Sequence, residues 1–94
     1  MQKHVKNYLQ YFDIGEQDVV SCEACGKSGR IDNGFDIHHI HGRIGNDADE
    51  IKNIILLCRS CHERAHSSKN HITPDEFQYI HNCYLTGKRQ TFLK

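Results

Sequence analysis

Residues 53–66 read Asn53-Ile54-Ile55-Leu56-Leu57-Cys58-Arg59-Ser60-Cys61-His62-Glu63-Arg64-Ala65-His66, and the fold turns on this run. Its apolar start, within Ile51–Leu57, is short enough for a buried strand or an irregular core segment, and periodicity does not choose between them. Cys58 and Cys61 then form a CxxC pair. From Arg59 to Ser68 the Ala, Arg and Glu content favours a helix. On such a helix His62 and His66, at i and i+4, share one face, the arrangement by which two imidazoles grip a single cation. Taken alone, the pair reads equally well as a solvated helix face.

Upstream, Cys22-Glu23-Ala24-Cys25-Gly26-Lys27 supplies a second CxxC pair. Gly26 lets the backbone fold back towards a metal, and a short hairpin strand is expected on each side, the first containing Val19 and Val20. Two CxxC pairs suit one tetrahedral ion with Zn–S distances of about 2.3 Å, so Cys22, Cys25, Cys58 and Cys61 are assigned to a structural zinc. Disulfide pairing and a redox dithiol are the competing explanations. No signal peptide or apolar run marks the chain as secreted, so a reducing cytoplasm is expected. Cys83 is expected as a small buried side chain of a C-terminal helix.

Between the two pairs, Asn33-Gly34 signals a turn, and Phe35-Asp36-Ile37-His38-His39-Ile40 alternates apolar and polar residues over its first four positions, as a half-buried strand does. Adjacent strand residues face opposite ways, so of His38 and His39 one imidazole can face a metal while its neighbour meets the substrate from another direction. A neutral imidazole takes a proton from water and a metal clamps a phosphate oxygen; these are the parts of a phosphodiester hydrolase. Gly42 and Gly45 open a loop to about residue 50, and its Arg43 is the first candidate for phosphate contact or transition-state stabilisation, with a solvated Arg as the alternative.

At the ends, Val5, Tyr8, Leu9 and Phe12 form the stripe of an amphipathic helix over residues 3–13, with Gly15 as its C-terminal glycine. A closing helix over 74–86 has Thr73 as N-cap, Pro74 at its first position, Asp75 and Glu76 in its first turn, a buried stripe of Phe77, Ile80 and Tyr84, and Gly87 beyond its end. His4, His41, His71 and His81 receive no role. The 94 residues suit one domain, and 37% hydrophobic content with a mean hydropathy of −0.68 makes burial alone a lean source of stability. Five Cys and eight His supply the expected metal cross-link. Twelve basic against twelve acidic residues give zero net charge, so nucleic-acid binding must rest on local features, with Asp47, Asp49 and Glu50 gathered away from the cationic side chains. No stretch approaches the ~18–20 apolar residues of a membrane span.

The order of these residues resembles the HNH, or ββα-metal, endonucleases. Cys22-Glu23-Ala24-Cys25-Gly26 is similar to the family's opening knuckle, and Asp36-Ile37-His38-His39-Ile40-His41-Gly42-Arg43 to its catalytic strand and loop. Asn53 to His66 is similar to its Asn, second knuckle and ligand helix. The resemblance spans about 22–66 and implies an α+β fold: a small zinc-stabilised ββα-metal domain, here over 1–94, with flanking N- and C-terminal helices. It implies His39 as general base and Asn53 as the residue that ties down the loop and orients that imidazole. His38, where the family often has Asp, His62 and His66 become ligands of a catalytic divalent metal. Three imidazoles suit Zn, Ni, Co or Mn, and Mg or Mn often serves in such families. The implied reaction is hydrolysis of DNA with departure of the 3′ oxygen, in phage, restriction or mobile-element settings. A chain this short either cuts with little sequence preference or is targeted by a larger protein assembly.

Two other readings stay open at this level. A non-catalytic zinc module that binds nucleic acid or protein predicts one metal per chain. A redox or metal-sensing protein predicts thiols that change with oxidation or metal load.

Overall fold

In the computed structural model, which describes residues 2–42, 48–67 and 71–87, the first element is helix α1, Lys3–Phe12. His4, Tyr8, Leu9 and Phe12 lie one turn apart and are buried, so burial of one stripe sets the helix's orientation. Its end departs from the glycine rule. Asp13, at φ 55°, takes the left-handed position, with Asp13 N–H donating to Gln10 O and Ile14 N–H to Leu9 O, a Schellman closure. Gly15 instead belongs to the next turn, where its N–H donates to Asp18 Oδ2 at 2.8 Å.

Strands β1 (Val19–Ser21) and β2 (Ser28–Arg30) form the expected antiparallel hairpin around the first CxxC. Cys22 N–H donates to Lys27 O at 2.8 Å and Gly26 N–H to Cys22 O at 2.9 Å, a tight fold that Gly26 permits at φ 83°. The Asn33-Gly34 turn joins this hairpin to a second, antiparallel one of β3 (Phe35–His39) and β4 (Ile54–Cys58). A single 3-10 turn, Ile51–Asn53, leads into β4, and helix α2, Arg59–His66, leaves it directly.

The β3–β4 hairpin is the central layer. Ile54 and Leu56 face a core of Tyr8, Leu9, Phe12, Ile14, Val20 and Tyr84, while Ile55 and Leu57 face one containing Ile40, Cys61, Ile72 and Phe77. Cover on both faces explains why Ile54–Leu57 is continuously apolar: every residue of β4 is buried. On β3 the same two directions place Phe35, Ile37 and His39 towards α1, and Asp36 and His38 towards α2.

Helix α3, Pro74–Gly87, starts at a capping box: Glu76 N–H donates to Thr73 Oγ1 at 3.2 Å, and Thr73 N–H donates to Glu76 Oε1 at 3.3 Å. Its buried positions are Phe77, His81 and Tyr84, so the centre of the stripe is His81 and not Ile80, which is half-buried. The reason is a partner remote in sequence. Glu23, inside the knuckle, accepts hydrogen bonds from Tyr8 Oη (2.6 Å), Leu56 N–H (3.1 Å) and His81 Nδ1 (2.7 Å), and His81 Nε2 donates to Ile51 O at 2.5 Å. Acceptors at both ring nitrogens require a proton on each when Glu23 is ionised, making a fully buried imidazolium–carboxylate pair. This network joins α1, the knuckle, β4 and α3. Cys83 is exposed on α3, against its expected burial, because it lies off the Phe77–His81–Tyr84 face. No helix among the described residues is long and apolar enough to cross a membrane.

Candidate active site

The four cysteines converge from two hairpins. Cys22 and Cys25 hang from the β1–β2 knuckle, Cys58 ends β4 and Cys61 lies in the first turn of α2. Their sulfur atoms all lie within 4.8 Å of one another, and Cys25 Sγ is 3.7 Å from Cys58 Sγ. A tetrahedron with metal–sulfur bonds of about 2.3 Å has edges of about 3.8 Å, so the donor set fits a structural zinc with all four positions filled by protein. Burial pushes the Cys22 and Cys61 thiols above their ordinary range. At Cys58 burial acts in the same direction, but hydrogen bonds from the Cys61 backbone and the neighbouring thiols outweigh it and hold the group low. A cation at the centre would favour the thiolate form of all four.

A second cluster lies on the α2 side of β3. His38 points from the strand towards His62 and His66, with ring centroids 5.0 and 5.5 Å away, and the two helical rings are 5.3 Å apart. One nitrogen from each lies within 4.8 Å of the others, so the donor set suits a single divalent ion with positions left open. Burial, and then repulsion from His62, His66 and His39, pushes the His38 pKa down to about 4, which keeps it neutral, the form that ligates. His62 Nδ1 donates to Asp36 Oδ2 at 3.1 Å, and Arg59 Nε lies 3.4 Å from the same oxygen. Asp36 thereby fixes the His62 ring and leaves Nε2 for a cation. Phe77 of α3 lies against the His38 ring, with centroids 5.6 Å apart.

His39 points the other way, as strand alternation requires. Its Nε2 is 2.8 Å from Asp49 Oδ1, and the His4 ring of α1 lies 4.4 Å away, centroid to centroid. That hydrogen bond, with the charge of His39, holds the Asp49 carboxyl below its ordinary range. β3 pairs only with β4 among the described residues, and His4, His38, His39, His62 and His66 line one cleft of about 480 Å³. The structure therefore brings the base candidate and the three ligand candidates to a shared space from opposite faces of one strand.

Asn53 sits at the neck of the loop that follows β3. Its Oδ1 accepts from His41 N–H at 2.9 Å, and its Nδ2 donates to Gly42 O (3.2 Å) and Ala48 O (2.8 Å). It ties both ends of the loop together and does not itself bond the His39 ring, whose partner is Asp49. Arg43 lies outside the described residues. His41 bonds Gln78 at 3.0 Å, and His71 bonds Ser67 O at 3.0 Å; neither lines the cleft.

Asp36, Asp49 and His4 were not singled out by the sequence. Asp36 had a signal, since strand alternation puts it on the His38 face. Asp49 had only its place in an acidic group, and His4 only its place on the buried stripe of α1.

A family model described as HNH endonuclease matches residues 22–68, half of the chain. No curated protein and no solved structure gave a match.

Proposed function

The chain belongs to the HNH endonuclease family, and we propose that it is a metal-dependent nuclease acting as one domain, hydrolysing phosphodiester bonds in DNA. The observation that carries this reading is the shared cleft, where His39 from one face of β3 meets His38, His62 and His66 from the other. His39 takes the proton of the attacking water, and the phosphorus–oxygen bond to the departing 3′ oxygen breaks as the new one forms. His38, His62 and His66 would hold a divalent ion, which when bound would supply positive charge against the negative charge that develops in the reaction. His38 serves this as a neutral donor held by burial, and His62 as a donor steered by Asp36. Asn53 ties Gly42, which lines the cleft, to Ala48, and Arg43 is assigned to phosphate contact.

Zinc-loaded protein should nick or cut plasmid DNA when Mg, Mn, Ni, Co or Zn is added, and a chelator should stop it. His39→Ala should abolish cleavage while zinc content and helical content stay unchanged. One metal per chain with no chelator-sensitive cleavage would instead establish a non-catalytic zinc module.

A further inference from the structure

We propose that Asp49 is the positioning residue of His39: it fixes the imidazole as the Nε2–H tautomer and leaves the Nδ1 lone pair for the attacking water. This rests on the reading of His39 as general base. A carboxylate can only accept, so the 2.8 Å contact between Nε2 and Asp49 Oδ1 requires the proton on Nε2. In the neutral ring the lone pair then belongs to Nδ1, which makes no hydrogen bond among the described residues.

The mount is rigid. Asn7 of α1 donates to Asp49 O at 2.9 Å, and Asn53 donates to Ala48 O at 2.8 Å, so side chains from two elements hold the backbone that carries this carboxylate. The ring is confined too: His39 is 8% exposed, and the tilted His4 ring, itself buried, covers one side of it. A carboxylate against Nε2 stabilises the imidazolium that forms when Nδ1 takes the water proton, and it holds the ring in register with the phosphate. Asn53 and Asp49 thus divide one task, the first closing the loop and the second gripping the ring.

His4, His39 and Asp49 also bring three donor atoms within 4.8 Å, a set able to hold a cation. The direct hydrogen bond favours positioning, and cation binding is made an outcome of the test. Kinetics of plasmid cleavage with added Mn²⁺ should show Asp49→Asn lowering kcat about 10- to 100-fold with KM unchanged, and Asp49→Glu recovering part of the loss. Asp49→Asn should add nothing to the loss in His39→Ala. Long-range ¹H–¹⁵N spectra of the zinc-loaded wild-type protein, with His39 assigned against His39→Ala, should show the Nε2–H form without any need for a variant to fold. A Nδ1–H form overturns the proposal. So does wild-type kcat in Asp49→Asn alongside an inactive His39→Ala, a result that spares the general-base reading. An active His39→Ala overturns both. A further equivalent of Mn²⁺ or Zn²⁺ bound by the wild type and lost in Asp49→Ala and His4→Ala replaces positioning with a second cation site.

Discussion

Replacing Glu23 by alanine should destabilise the protein far more than a surface substitution, although Glu23 ligates nothing and lines no part of the cleft. Its carboxylate accepts from Tyr8, Leu56 and His81, and the Glu23 and His81 side chains are fully enclosed. Glu23→Ala leaves the buried His81 ring, a hydroxyl and a backbone N–H without their acceptor. Breaking a buried pair from one side costs about 3–5 kcal/mol, which approaches the whole stability of a small domain, typically ~5–15 kcal/mol. Glu23→Gln keeps the shape and one acceptor oxygen, and a neutral His81 can accept from its amide, so the loss should be nearer ~1–2 kcal/mol. The assay is urea unfolding followed by circular dichroism at fixed zinc concentration, because a bound metal contributes to apparent stability. In the cycle with His81→Ala, the two losses should fall short of adding, with a coupling of at least ~1 kcal/mol. A Glu23→Ala midpoint within about 1 kcal/mol of wild type, or strict additivity, would refute the buried-pair reasoning.

Three further outcomes are expected. Thiol titration of the zinc-loaded protein should find one reactive group, the exposed Cys83, and stripping the metal should release the other four cysteines, for five reactive thiols in all, and melt the fold. His38 has a folded pKa of about 4, below its unfolded value of about 6.5, so the unfolded chain binds the extra proton between them. Stability should therefore fall as pH drops through that window, and less so in His38→Gln, as read from melting temperatures with the histidine cluster free of metal. Asn53→Ala removes three hydrogen bonds at the loop neck and should cost about 1–3 kcal/mol in denaturant unfolding together with a slower cleavage rate.

Local chemistry made much of this fold legible in advance. The two CxxC pairs constrain the backbone within a few residues of themselves, so the knuckle and its hairpin followed from spacing. Alternation along β3 separates His38 from His39 at the level of sequence, because strand geometry admits two directions only. The capping residues of α3 were similarly self-contained. What escaped the sequence depends on partners far along the chain. His81 has no legible role until Glu23 is placed against it, 58 residues away. Asp49 reads as one acid among several until the loop returns it to His39. Asp13 took a left-handed conformation that the nearby Gly15 would have adopted at less cost, because burial of Phe12 and Ile14 sets where α1 must end.

The central claim is that His39 works as a base beside a cation held by His38, His62 and His66. Its most direct test is cleavage of supercoiled plasmid by zinc-loaded wild type and His39→Ala, side by side, with and without added Mn²⁺. The account predicts Mn²⁺-dependent cleavage by the wild type and none by the variant, at equal zinc content and equal helicity. Equal rates from the two proteins, both freed of contaminating nuclease, would contradict it.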